Sequence, residues 1–289
     1  PRLPPACQPP VVLFIHLRKL TMSRFNSRAK TVMALTIVAA ASVLSVSASA
    51  WDMPFGNRVA GSGQVTQVKR VVQGFKGIDL EVPANVEIIQ GDTEGVQIET
   101  DDNIATLIET VVEKEQLKIR MAQRMTGIKP STLKITVQAR AIESLAISGA
   151  GGFQADKLKS PSLSARISGS GDMRIGHLDV DTLTLSISGN GDFTAGGRAD
   201  TVRTSISGSG DVKTANLAAK NVKLSISGSG DAKFWATESL TVSIAGSGDV
   251  GYYGDAAVTQ SVSGSGRIKK LGTAPAPIPA STAAPMSKG

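Results

Sequence analysis

Along the second half of the chain, apolar and polar residues alternate in short runs. Leu183, Leu185 and Ile187 form one run, Val222, Leu224 and Ile226 a second, and Leu240, Val242 and Ile244 a third. A period of two places every second side chain on one face, which predicts a β-strand with one buried side. The Leu, Val, Ile, Thr and Ser that make up these runs suit a pleated surface. Each run flows into Ile-Ser-Gly-Ser-Gly-Asp or a near variant, where glycine permits positive φ and a sharp corner. A second short extended piece follows, such as Val212-Lys213-Thr214, and then a polar connector such as Ala218-Ala219-Lys220-Asn221.

The unit repeats. Its copies begin at Ile147, Ile167, Ile187, Ile206, Ile226, Ile244 and Val262, with spacings of 20, 20, 19, 20, 18 and 18 residues. A blade of a β-propeller needs roughly 40–50 residues, and collagen and coiled coils have other periods. One turn of a parallel β-helix, with two or three short strands joined by corners, needs about this many. The fold class expected is therefore all-β, a parallel β-helix (solenoid) with 18–20-residue coils over residues 146–271. Stacking at about 4.8 Å per turn would put the Ile residues in one internal column, in a rod on the order of 30 Å long.

Residues 64–145 alternate without the Gly-Ser-Gly punctuation and read as an N-terminal β lead-in that covers the first solenoid edge. Strands are expected at Val65–Val72, Gly74–Val82, Val86–Gln90, Val96–Thr100 and Leu133–Val137. A hairpin is expected about Glu113-Lys114-Glu115, and Asn103–Glu109 reads as one helical turn or a bulge, with Asn103 as its cap.

The ends read differently. Met22–Lys30 is basic, Thr31–Val46 is apolar, and Ala48-Ser49-Ala50 supplies small residues, so residues 22–50 have the layout of a signal peptide cleaved after Ala50. The apolar run is shorter than the ~20 residues of a membrane span. Residues 1–21, which start on Pro1, are expected to be a non-native or disordered extension. Residues 272–289 are rich in Pro, Ala, Ser and Thr, which predicts a disordered tail.

Export changes the charge. The first 50 residues hold six basic and no acidic side chains, and removing those six from 31 leaves 25 against 24 acidic residues. The high whole-chain pI of about 9.6 belongs to the export signal, and a nucleic-acid partner loses its support. The one cysteine, Cys7, lies in the extension, so the exported part relies on an aliphatic core and a backbone ladder rather than on disulfides.

Asp172, Asp192, Asp211, Asp231 and Asp249 occupy one place in five successive copies. Stacked carboxylates would either recruit cations or cap the corners. Capping of each Asp's own corner is the favoured reading, because Gly152 and Arg267 replace Asp in the end copies. Arg174, Lys213, Lys233 and Lys269 are expected on a solvated face with ion pairs between coils. Trp235, Tyr252 and Tyr253 are expected to be core or rim residues, with sugar stacking as the alternative. The Ser-Gly-Ser-Gly corners lack both the strand-turn-helix context of a nucleophile elbow and the Lys-[Ser/Thr] ending of a phosphate loop. No catalytic, cofactor-binding or metal residues are predicted, and no cofactor.

Gly74-Phe75-Lys76-Gly77-Ile78, Val86-Glu87-Ile88-Ile89-Gln90-Gly91 and the repeated Ile-Ser-Gly-Ser-Gly-Asp resemble the head GIN domain family of bacterial envelope proteins, labelled auto-transporter adhesins, over about Val68 to Lys270. The resemblance implies an exported β-helix with no established activity. The function expected is a non-enzymatic structural or adhesion/interaction module of the cell envelope, its partner a protein or glycan. The alternative is a polysaccharide-binding or polysaccharide-acting β-helix. The expected location is periplasmic, outer-membrane-associated or extracellular, with no integral span after cleavage.

Overall fold

The computed structural model describes residues 58–123, 127–273 and 275. The expected extension, the signal peptide and nearly all of the tail lie outside them. Among the described residues, eighteen strands and one helical turn follow in order. The lead-in holds β1 (Arg58–Ala60), β2 (Val65–Arg70), β3 (Gly77–Leu80), β4 (Asn85–Gln90), β5 (Gly95–Asp101), α1 (Asp102–Ala105), β6 (Ile108–Glu113), β7 (Gln116–Met121), β8 (Gly127–Lys129) and β9 (Leu133–Ala139). The repeats hold β10 (Ser144–Gly149), β11 (Gly152–Gly169), β12 (Asp172–Gly189), β13 (Phe193–Gly208), β14 (Val212–Gly228), β15 (Ala232–Gly246), β16 (Val250–Tyr253), β17 (Ala257–Gly264) and β18 (Ile268–Gly272).

The solenoid is confirmed, and its register follows the repeat. Ile147 pairs with Ile167, then Ile187, Ile206, Ile226, Ile244 and Val262, always in parallel. From Ile147 to Ile244 this column is at most 1 % exposed. Full burial of one such side chain contributes roughly 1.5–3 kcal/mol, so the column is a main source of stability.

Each long strand is in fact three short ones. Alternation in β12 breaks at two pairs of adjacent outward residues, Gly176-His177 and Asp181-Thr182, and again at the glycine corner. The inward sets are Met173 and Ile175, Leu178 and Val180, then Leu183, Leu185 and Ile187. The cross-section therefore has three faces. Copies shorter than 20 residues lose residues at the first of these corners, where the register shifts between Ile175 and Leu178 and again between Thr214 and Ala218.

The two glycines of each corner do different work. The first, as in Gly189, has φ +125, and a Cβ there would lie 2.3 Å from the Gly169 carbonyl oxygen one coil below. The second, as in Gly191, is excluded from bearing a side chain by contact alone, with the Gly171 oxygen 2.1 Å from a Cβ. Stacked corners approach so closely that only glycine fits.

The lead-in caps the stack and adds rungs to it. β3 and β4 lie directly under β10 and β11, and β7 and β9 lie under β3 and β4, all in parallel. Leu80 and Ile119 thus extend the Ile column downward. The chain builds the β3–β4 rung first, places β7–β9 beneath it, and then passes over to β10. Antiparallel β6 covers β7, while antiparallel β5 covers β9 and is covered in turn by β2. The expected hairpin is present, with Lys114 and Glu115 both at positive φ. Asn103 is a correction: it lies inside α1, and its side chain accepts from the Ser62 N–H and donates to the Ala60 carbonyl. It ties down the incoming chain instead of capping the turn.

Candidate interaction surface

The Asp column forms a hydrogen-bonded ladder. Asp172 Oδ1 accepts from the Asp192 N–H at 3.2 Å, and Asp192, Asp211, Asp231 and Asp249 accept from the N–H of Asp211, Asp231, Asp249 and Arg267 at 2.8–3.1 Å. Each carboxylate therefore caps the corner of the next coil, where its own corner was expected. The reason is the parallel stacking, which brings the next coil's N–H to hydrogen-bond distance.

In Asp172, Asp192, Asp211 and Asp249 the second oxygen faces a cation. Arg174 lies 3.0 Å from Asp172, Lys213 lies 2.7 Å from Asp192 and 3.5 Å from Asp211, and Arg267 lies 2.7 Å from Asp249. Partial burial alone would raise Asp192, but the Lys213 ammonium and the Asp211 N–H outweigh it and hold the group below the usual carboxylate range. The Arg267 guanidinium likewise holds Asp249 down. Among the described residues no set of three or more His, Cys, Asp or Glu is grouped to hold a metal ion.

The basic side chains align as expected, with Arg174, Thr194, Lys213, Lys233, Gly251 and Lys269 in register. Arg174 and Lys213 are the members that pair with the Asp ladder. The aromatic residues split. Tyr252 sits above Phe234 in an inward position and packs against the core, whereas Trp235 and Tyr253 occupy outward positions on successive coils, each half-buried.

Sequence reasoning missed the middle face. Its outward column runs Lys159, Asp179, Arg198, Ala218, Trp235, Tyr253. Arg198 Nε donates to Asp179 Oδ1 at 2.7 Å, and Lys220 lies 2.8 Å from Asp200. A hydrogen bond from Arg198 lowers Asp179, and the same contact raises Arg198, so both are charged at neutral pH. An open groove of about 400 Å³ runs beside them, floored by Ala199 and Ala219. The residues shorter coils lose fall at the corner leading into this face, so a fixed-period alignment scatters its members. Counted backward from the next Ile-Ser-Gly, Lys159, Asp179, Arg198 and Ala218 stand eight residues before it, whereas Trp235 and Tyr253 stand nine, because the register shifts again between Ala219 and Asn221.

The sequence of residues 74–256 matches the family described as "Putative auto-transporter adhesin, head GIN domain". The chain belongs to this family. Three solved structures share the architecture of this head GIN domain. A "putative adhesin" from Bacteroides fragilis is 26 % identical with a TM-score of 0.71, over 74 % of this chain and all of its own. A "putative lipid binding protein" from Parabacteroides distasonis is 24 % identical, TM-score 0.64, over the same shares. A "putative adhesin" from Parabacteroides merdae is 23 % identical, TM-score 0.62, over 74 % of this chain and 99 % of its own. At those last two identities the likeness speaks for the fold alone. None of the curated proteins compared with the chain matches it. Among the described residues no helix is long and apolar enough to cross a membrane.

Proposed function

We propose that this head GIN domain protein is an exported, non-enzymatic structural or adhesion/interaction module of the bacterial cell envelope. One observation carries the reading. The outer polar residues repeat coil by coil as in-register columns, so the solenoid presents a long, regular surface suited to an extended partner. The adhesin description of the family supports it, as does the signal-peptide layout of residues 22–50. The partner is a protein or glycan of the envelope. Binding of the mature protein, residues 51–289, to isolated envelope fragments tests this. Saturable retention is expected, and mature protein that stays in the supernatant at every concentration would overturn the reading.

The second reading, a polysaccharide-acting β-helix, would need one coil that breaks the pattern with an acid beside a base in a groove. The middle-face groove supplies charged pairs, but these are ion-paired on the surface, and Arg198 is 73 % exposed. That arrangement favours recognition over proton transfer, which needs a group whose pKa burial has tuned towards neutrality.

A further inference from the structure

We propose that the middle-face column Asp179, Arg198, Ala218, Trp235 and Tyr253 is a binding site for a short neutral oligosaccharide, which stacks on Trp235 and Tyr253 and hydrogen-bonds to the Arg198–Asp179 and Lys220–Asp200 pairs. The proposal rests on the interaction-module reading and gives it a ligand class.

The placement of the aromatic residues is the first argument. The described residues hold few of them, and Phe75, Phe153, Phe193 and Phe234 are all buried in the core. Trp235 and Tyr253 are the described aromatic residues in outward positions, and they fall in one column on adjacent coils. Half-burial leaves part of each ring in solvent while the rest is gripped. A Cβ built on Gly254 would lie 3.3 Å from Trp235 Cδ1, so the indole edge lies beside the glycine backbone of the next coil. A rigid, amphipathic ring gives contact area at low entropic cost.

The neighbours supply the second argument. Directly below Trp235 the column holds the small side chain of Ala218, and below that stands Arg198 bonded to Asp179. Asp181, Asp200 and Lys220 line the same groove. Successive places are about 4.8 Å apart, so the five span about 19 Å, the scale of a short oligosaccharide.

The chemistry of the ligand follows. Ion-paired carboxylate and guanidinium groups present fixed donors and acceptors side by side, which suits adjacent hydroxyls on a ring. Arg198 and Lys220 line the groove against Asp179, Asp181 and Asp200, so the groove carries no net positive charge to attract an acidic sugar. The apolar part is too narrow, and too closely flanked by charge, for the apolar centre of a protein–protein interface.

The test uses the mature chain carrying Trp51→Phe, so that fluorescence reports on Trp235. Chitotetraose and cellotetraose are titrated as neutral probes, and a galacturonate tetramer as the acidic one. A saturable fluorescence change is expected with at least one neutral probe and at least tenfold weaker binding of the acidic one. Ala218→Lys sets a long charged side chain in the column beside the ring without touching the core and is expected to weaken binding at least tenfold, as is Trp235→Ala, whose binding is followed by calorimetry because it lacks the reporting indole. No saturable change with any neutral probe, equal or tighter binding of the acid, or unchanged affinity in Ala218→Lys would overturn the site. If envelope binding persists while the tetrasaccharides fail, the site falls and the module reading stands. If envelope binding is also lost, both fall.

Discussion

The lead-in and the repeat coils are built of the same rungs but held in different ways. In the repeats every contact is made again one coil up: the Ile column, the two glycine columns and the Asp ladder. The lead-in reaches the same rungs by a chain path that steps downward and then back over itself, and contacts made once hold it there. Asp101 is the clearest case. Fully buried, it accepts from the Gly63 N–H at 2.8 Å and from the Ser131 N–H and hydroxyl at 2.7 Å, and so joins three separate segments. Repetition spreads stability over many equal interfaces, whereas a cap concentrates it in single groups. The two regions should therefore fail differently when probed.

The largest effect is expected in the repeats. Gly189→Ala adds a Cβ 2.3 Å from the Gly169 carbonyl oxygen at φ +125, and backbone cannot swing aside as a side chain would. A loss of at least about 3 kcal/mol is expected, seen as a fall in Tm of about 10 °C. Gly91 in the lead-in has nothing within 4 Å of its Cβ position, and Gly91→Ala should stay within about 0.5 kcal/mol of the parent. Equal effects at the two positions would erase the contrast.

The next effect belongs to the cap. The Ser131 hydroxyl, opposed by desolvation and helped by the Ser131 and Gly63 N–H groups, holds the Asp101 carboxyl below its usual range. A depressed carboxyl stabilises fully above its unfolded pKa of about 3.9, and that contribution is lost as pH falls through the lower folded value. Amide exchange should accordingly rise first in β1 and β2 below about pH 4. Asp101→Asn should raise their exchange at neutral pH and leave β12 to β14 protected. Uniform loss across the coils would mean that the cap and the repeats unfold as one.

The smallest is a gain. Asp79 Oδ1 is buried with no hydrogen-bond partner, and burial, then Glu81, push its pKa up against the pull of Lys118. A raised carboxyl costs stability above its folded pKa, and the cost is relieved as pH falls. Asp79→Asn removes it at neutral pH, and a rise in Tm of about 2 °C is expected, disappearing in acid. A fall in Tm at neutral pH would mean that the carboxylate has a partner in solution.

Much of this was legible because repetition magnifies weak local signals. One Ile-Ser-Gly-Ser-Gly-Asp is only a turn, but seven at a near-constant spacing leave room for little except a solenoid. The strand positions of the lead-in were legible from alternation too. Their stacking order was not: nothing in Val86–Gln90 tells that Asn85 will lie between Lys134 and Gly152. The middle-face column escaped for a related reason. Arg198, Ala218 and Trp235 stand at unequal distances from the preceding corner, because shorter coils drop residues between.

By itself, then, the sequence determined the period, the corners, the inward face and the membership of the Ile, Gly and Asp columns, because each depends only on a residue's place within its own coil. The tertiary structure decided what depends on two coils at once: that each Asp serves its neighbour's corner, that the β7–β9 rung slips beneath the one made before it, and that Trp235 falls in one column with Ala218 and Arg198. Those contacts are set by how far one turn is rotated and shortened against the next, and that offset is fixed only when the coils pack.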